Sequence, residues 1–175
     1  MKIKSVTINN FRSIQHAKIE FHDYSIIVGK NNVGKSNIID AIRYFYGDIE
    51  LRVDDVCYTA SDISSDPWIE IEYDMMPVEY MALPEEYRIN KNKLRVRREI
   101  DFSNFELRDD GSFKTHYVYP DVPQSDQPIE DLFGKVIYIP SGDNMQHTYK
   151  NIIDKWVKFF VLKQAIRSTN IKKKI

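Results

Sequence analysis

Gly29-Lys30-Asn31-Asn32-Val33-Gly34-Lys35-Ser36 fits the spacing G-x-x-x-x-G-K-[ST], a combination of residue types suited to holding a phosphate chain. Glycine at both ends lets the backbone turn tightly and come close to an oxyanion, so that successive amide N–H groups face the phosphate. A helix starting directly after the loop adds the positive end of its dipole. Lys35 is placed to bridge the β- and γ-phosphates and is the candidate catalytic residue. The Ser36 hydroxyl is the candidate ligand for Mg²⁺, which otherwise keeps water, phosphate oxygens and a carboxylate. The candidate binding set is therefore Gly29, Lys30, Asn31, Asn32, Val33, Gly34, Lys35, Ser36 and Asn37.

Such a loop works only between a strand and a helix, and both flanks have the right pattern. Tyr24-Ser25-Ile26-Ile27-Val28 predicts a short buried strand, and Asn37 to Tyr46 carries Ile38, Ile39, Ala41, Ile42 and Phe45 in a helical repeat, with Gly47 as a stop. Upstream, Val6 and Ile8 predict a first strand ending at Asn9-Asn10-Phe11-Arg12-Ser13. Ala17, Ile19 and Phe21 alternate with Lys18, Glu20 and His22 in a second, half-exposed strand. Two strands thus precede the loop, whereas a small GTPase or nucleotide kinase opens directly on the loop strand.

This prelude resembles the ABC-type heads of the SMC, RecF and Overcoming Lysogenization Defect (OLD) ATPases. The resemblance is carried by Ile8-Asn9-Asn10-Phe11-Arg12-Ser13-Ile14 and by Ile27 to Ile42, in which the form G-x-N-N-x-G-K-S-N is most similar to the OLD family. It covers the first 47 residues closely and residues 48 to 140 loosely. It implies ATP with Mg²⁺ as cofactor, a place for Arg12 near the nucleotide phosphates, a role in DNA metabolism or phage defence, and a cytoplasmic setting. It also implies a homodimer or a complementary ATPase half as partner.

The middle of the chain predicts antiparallel β-structure. Trp68 to Met75 sets Ile69, Ile71, Tyr73 and Met75 against Glu70, Glu72 and Asp74, an acidic stripe expected on a solvent face. Lys93 to Asp101 alternates Leu94, Val96 and Ile100 with charged neighbours. Phe105 and Leu107 pair with Phe113 to Tyr119 in a hairpin around Asp109-Asp110-Gly111-Ser112. Asp121 to Asp131 is a polar loop, Lys135 to Pro140 a short buried strand, and from Met145 a helix carries Ile152, Ile153, Trp156, Phe159, Phe160 and Ile166 on one face. The expected fold is α/β: a P-loop NTPase, the N-terminal lobe of an ABC-type head, with an antiparallel β subdomain and a C-terminal helix. The expected domains are 1–143 for the half-head and 144–175 for a basic amphipathic helix and tail.

The chain of 175 residues, 42% hydrophobic and 29% charged, can bury a core of ordinary domain size. Its single cysteine, Cys57, excludes an intrachain disulfide or a cysteine zinc cluster, and the four histidines lack ligand spacing. No apolar run is long enough for a membrane span. The net charge of −1 hides an asymmetry: residues 150 to 175 hold eight lysines and arginines against Asp154 alone. A basic helix and tail of this kind contacts DNA phosphates or stays solvated.

An apolar strand ending in Asp-Glu, an L-S-G-G signature, and the D-x-D of a Toprim nuclease do not occur in the sequence. No glutamine lies between Lys35 and Pro123 to serve as a Q-loop residue, and that role is not carried over to Asp54 or Asp55. The expectation is an N-terminal portion of an OLD- or SMC-like ATPase that binds nucleotide but hydrolyses it inefficiently alone. Two alternatives stand beside it. One is a self-contained P-loop phosphotransferase or GTPase; the other is a non-catalytic DNA or protein interaction module with a vestigial loop.

Overall fold

β1 (Lys2–Phe11) is the strand on which the rest is assembled: Val6 and Ile8 are fully buried, and β2 (Ile14–Glu20) and β3 (Trp68–Asp74) flank it on either side. A computed structural model of the chain describes residues 1–57, 66–100, 107–122 and 133–139, together with Lys150 and Ile153. It divides into two units, Met1–Val136 and Ile137–Ile175. In the first, β4 (Lys93–Ile100) and β5 (Thr115–Val118) complete an antiparallel sheet of order β2-β1-β3-β4-β5.

Register places the apolar residues in rows across one face. Ile19, Val6, Ile71 and Val96 form one row, and Ala17, Ile8, Ile69, Arg98 and Tyr117 the next. Onto this face packs α1 (Lys35–Phe45), which buries Ala41, Tyr44 and Phe45 and touches β1 and β3. Each large apolar side chain buried this way contributes about 1.5–3 kcal/mol over leaving it in water. Phe45 lies edge-on to Tyr117, and Phe133 packs against Phe45, Tyr73 and Tyr117.

The helix stops where Gly47 turns left-handed at φ 72 and its N–H bonds the Tyr44 carbonyl at 2.9 Å. Its last carbonyls are capped from the sheet. Arg98, nearly buried, donates through Nη1 to the Tyr44 carbonyl and through Nε to Thr115 Oγ1 at 3.1 Å, and its guanidinium lies 4.6 Å from the centre of the Tyr44 ring. The Tyr117 hydroxyl donates to the Phe45 carbonyl. Cations belong at a helix C-terminus, where the dipole is negative.

The opposite face of the sheet is charged, but not as a solvated stripe. Glu70 is only 9% exposed, because its register partner Arg97 donates to it at 2.8 Å while lying 4.0 Å over the Trp68 ring. Lys93 pairs with Glu72 at 3.3 Å, and Arg95 pairs with Asp121. The β4 charges that merely alternate in sequence are thus the counter-ions of the β3 acids. Between β3 and β4 lies α2 (Pro77–Ala82), whose Glu79 takes the N-terminal ammonium. Gly111, at φ 78, makes the expected turn of the hairpin, with Leu107 bridged to Phe113. Residues 101–106 of that hairpin, 123–132 of the polar loop and most of the expected C-terminal helix lie outside the described residues, although Lys150 and Ile153 are helical.

Two expected strands are absent. Tyr24 to Val28 enters no ladder, with Tyr24 81%, Ile26 68% and Val28 83% exposed. Residues 135–139 likewise form no strand, and Ile139 is 62% exposed. An apolar run becomes a buried strand only where neighbours supply ladder partners and cover its faces. β1 already has β2 and β3 on its two edges, so it offers the first run no place in the sheet.

Replacing Arg98 with alanine uncaps α1, leaving the Tyr44 carbonyl and Thr115 without their donor while Glu50 keeps Arg108 at 3.2 Å; the expected loss is about 1–3 kcal/mol in urea unfolding, the cost of a buried acceptor left unsatisfied. Asp121 makes a pH-sensitive contact in the sheet. The hydrogen bond from Arg95 holds its pKa below the ordinary 3.8, so its contribution is present at neutral pH and lost as pH falls through the folded-state value. Urea midpoints of the wild type and Asp121→Asn should therefore differ at pH 7 and converge as pH falls through the lowered folded-state value.

Candidate nucleotide-binding site

The loop that the motif marks runs from Gly29 to Gly34 and ends on the first residue of α1, Lys35. Asn32 and Gly34 both take left-handed backbone, φ 65 and 89. Alternating such residues with ordinary ones turns successive amides to one side, the geometry of an anion-binding nest. Of the two motif glycines Gly34 alone is left-handed, and space is tight at both. A Cβ on Gly29 would stand 3.3 Å from Val33 Cγ2, and one on Gly34 would stand 3.0 Å from Ser13 Oγ.

Lys35 folds back over the loop, donating through Nζ to the Gly29 carbonyl at 2.8 Å and to the Lys30 carbonyl. Its ammonium therefore spans the two residues that open the loop. Lys30, Asn31, Asn32, Val33 and Ser36 are exposed and Asn37 is half-buried. The first turn of α1 holds no acidic residue, and no side chain caps it. Exposed amides, a helix N-terminus without a competing carboxylate, and a lysine across the loop fit a phosphate chain. Among the described residues no group of three or more His, Cys, Asp or Glu is placed to hold a metal ion. A cation here would therefore depend on Ser36 and on the oxygens of the bound nucleotide.

The β1–β2 turn reaches this loop. Asn37 Nδ2 donates to Ser13 Oγ at 2.7 Å, so Ser13 touches both the last loop glycine and the first turn of α1. Arg12, at φ 51, donates through Nε to Asp55 at 2.7 Å and through Nη1 to Asp40 on α1. Asp40 also accepts from Arg43 Nη1 at 3.0 Å, and Arg43 Nε donates to Asp48 at 2.8 Å. Burial opposes the Arg12 charge, but the bonds to Asp55 and Asp40 outweigh it and raise its pKa above the ordinary arginine value.

The resemblance implied a place for Arg12 near the phosphates, but nothing in the sequence showed that Asp40 and Asp55 hold its side chain. Asp55 reads as part of a connecting segment and Ser13 as a turn residue. No local pattern pairs residues 28 or 43 positions apart, as Asp40 and Asp55 are from Arg12.

A family profile described as an AAA ATPase domain matches residues 1–174. The chain belongs to the AAA ATPase domain family. This ATPase domain is 29% identical over 202 residues to an uncharacterized protein of Methanocaldococcus jannaschii, covering 98% of the chain and 56% of that protein. It is 29% identical over 108 residues to the DNA replication and repair protein RecF of Lactococcus lactis subsp. cremoris, covering 58% of the chain and 30% of RecF. The domain thus spans about half the length of the first relative and less than a third of the second. A solved SMC head, described in complex with the C-winged helix domain of ScpA, aligns with a TM-score of 0.50 and 21% identity over 81% of the chain and 42% of that head. The fold expected from the loop and its two-strand prelude, a P-loop NTPase of the ABC-head type, is the fold of this ATPase domain.

Gly34→Ala should weaken both loop and fold. The left-handed torsion alone costs a residue with a Cβ about 1–2 kcal/mol, and the contact with Ser13 adds to it. Urea unfolding should show Gly34→Ala destabilised, and Ser13→Gly in that background should recover only the part due to the contact.

Proposed function

We propose that this chain is the ATP-binding lobe of a DNA-processing ATPase, in which residues 29–37 take the phosphates of Mg·ATP and Ser36 ligates the cation. The observation that carries the reading is the loop itself: left-handed Asn32 and Gly34, the uncapped N-terminus of α1, and Lys35 laid across the opening. When bound, the cation neutralises charge on the β- and γ-phosphates and orients them. The chain's residues do the rest: loop amides hold the β-phosphate, and Lys35 exchanges the Gly29 and Lys30 carbonyls for phosphate oxygens. The exchange is favourable because a charge-assisted bond to an anion is stronger than one to a neutral carbonyl.

Efficient hydrolysis needs a positioned water and an acidic residue as well, and neither an apolar strand ending in Asp-Glu nor an L-S-G-G signature occurs in this sequence. The exposed run Tyr24 to Val28, which leads straight into the loop, supports a lobe whose central sheet is finished by other residues. A complementary ATPase half or a second copy is the proposed source. Similarity to RecF supports work on DNA in the cytoplasm, with the basic segment 150–175 as the proposed contact. The G-x-N-N-x-G-K-S-N form supports an OLD-like branch and a part in phage defence.

Calorimetric titration with Mg²⁺ and the non-hydrolysable analogue AMPPNP tests the reading. Binding by the wild type, weakened at least about tenfold in Lys35→Ala through loss of a charged contact, with phosphate release no faster than in that variant, is the expected result. Absence of binding, or binding indifferent to Lys35, would remove the nucleotide reading; turnover by the isolated chain would remove the half-site reading.

A further inference from the structure

β2 is an edge of the sheet: it pairs with β1 along one side, and among the described residues no backbone group bonds its other side. The Phe21 N–H donates to the Lys4 carbonyl at 2.8 Å, in the register that also sets Ile19 against Val6 and Ala17 against Ile8. Hydrogen-bonded pairs alternate with non-bonded ones along an antiparallel ladder. Phe21, Ile19 and Ala17 therefore turn their N–H and C=O groups to β1, and Glu20, Lys18 and His16 turn theirs to the open edge.

The side chains of this edge sort by face. Ala17, Ile19 and Phe21 continue the core row and are only half-buried, because α1 packs chiefly over β1 and β3. Lys18 and Glu20 stand on the outer face. Both are exposed and make no ion pair among the described residues, whereas Glu70, Glu72, Lys93, Arg95 and Arg97 on the same face are paired. A lone lysine guards a sheet edge against another strand. A lysine and a glutamate two residues apart on one face do the opposite when the incoming strand has their own sequence, since an antiparallel copy sets each against the other.

The open edge and the charges together select one register. A second β2 laid antiparallel on the first must keep Lys18 and Glu20 in hydrogen-bonded pairs. A two-fold axis at Lys18 or at Glu20 opposes like charges, and an axis at Ala17 sets Lys18 beside the partner's His16. An axis at Ile19 sets Lys18 against the partner's Glu20 on both sides of the centre. It also brings Ile19 against its own copy at the closer, non-bonded spacing and the small Ala17 against the partner's Phe21. The ladder ends there, because the His22 N–H is taken by Ser25 Oγ at 3.0 Å.

We propose that two copies of this chain associate edge to edge through β2, in the register centred on Ile19, so that one sheet continues into the other about a two-fold axis. The contact is separate from the nucleotide loop and needs no nucleotide. It is short, at the weak end of specific interfaces, and so depends on concentration.

Sedimentation equilibrium of the full chain without nucleotide, from about 10 μM to about 1 mM, tests it. The wild type should pass from monomer to dimer over that range. Lys18→Glu and Glu20→Lys each oppose like charges at both pairs and should weaken the dimer about tenfold. The double variant Lys18→Glu/Glu20→Lys restores opposite charges and should dimerise within about threefold of wild type. An equimolar mixture of the two single variants should form a heterodimer more tightly than either variant pairs with itself. A wild type that stays monomeric, single variants that dimerise as the wild type does, or a mixture no tighter than its components would overturn the inference. Each of those results leaves the nucleotide reading standing, since that reading is decided by AMPPNP binding and Lys35.

Discussion

The placement of α1 is the constraint on which the rest of Met1–Val136 depends, because one helix carries the phosphate end of the loop at its start and a large share of the core at its finish. Tyr44 and Phe45 fill the space against β1, β3 and β5, and their carbonyls are held by Arg98 and Tyr117. At the other end Asn37 and Asp40 receive Ser13 and Arg12 from the β1–β2 turn. The helix cannot shift along its axis without breaking one of these sets. The loop amides, whose direction decides whether an anion is bound, are thereby set by a sheet that never touches the anion.

Electrostatics is partitioned accordingly. On the outer face of the sheet β4 cations answer β3 acids, Arg97 meeting Glu70 in register and Lys93 meeting Glu72 on the diagonal, so that surface presents paired charge. Around Arg12 the pattern differs: Arg12 and Arg43 meet Asp40, Asp48 and Asp55, an ion-pair network in which the acids outnumber the bases. Those carboxylates lie on the side chains of the helix and its neighbours, while the first turn of α1 has no acid at all. The helix N-terminus and Lys35 thus meet at the loop with no carboxylate in the first turn to oppose them.

Exposed Tyr24, Ile26 and Val28 leave the loop's approach segment outside the sheet. Their composition is that of a strand covered on both faces, yet the antiparallel sheet has no vacancy beside β1. An apolar segment that length leading into a phosphate loop is a surface with unmet ladder bonds.

By itself the sequence determined the parts whose cause is local. The G-x-x-x-x-G-K-S spacing marks the loop because torsion and close approach demand glycine there. A repeat of apolar residues marks α1 because its period matches the helix, and apolar–polar alternation marks parts of β1 to β4, such as Val6 and Ile8, Ala17 and Ile19, Ile69 to Tyr73, and Leu94 and Val96. What tertiary structure decided are the pairings that join distant segments: Glu70 sheltered by Arg97, Arg98 turned inward as a helix cap, Arg12 caught between Asp40 and Asp55. It also decided which apolar runs become strands, since a strand exists only where another backbone offers hydrogen bonds to it. Charge and apolarity are properties of a residue, readable one at a time; a partner is a property of the fold.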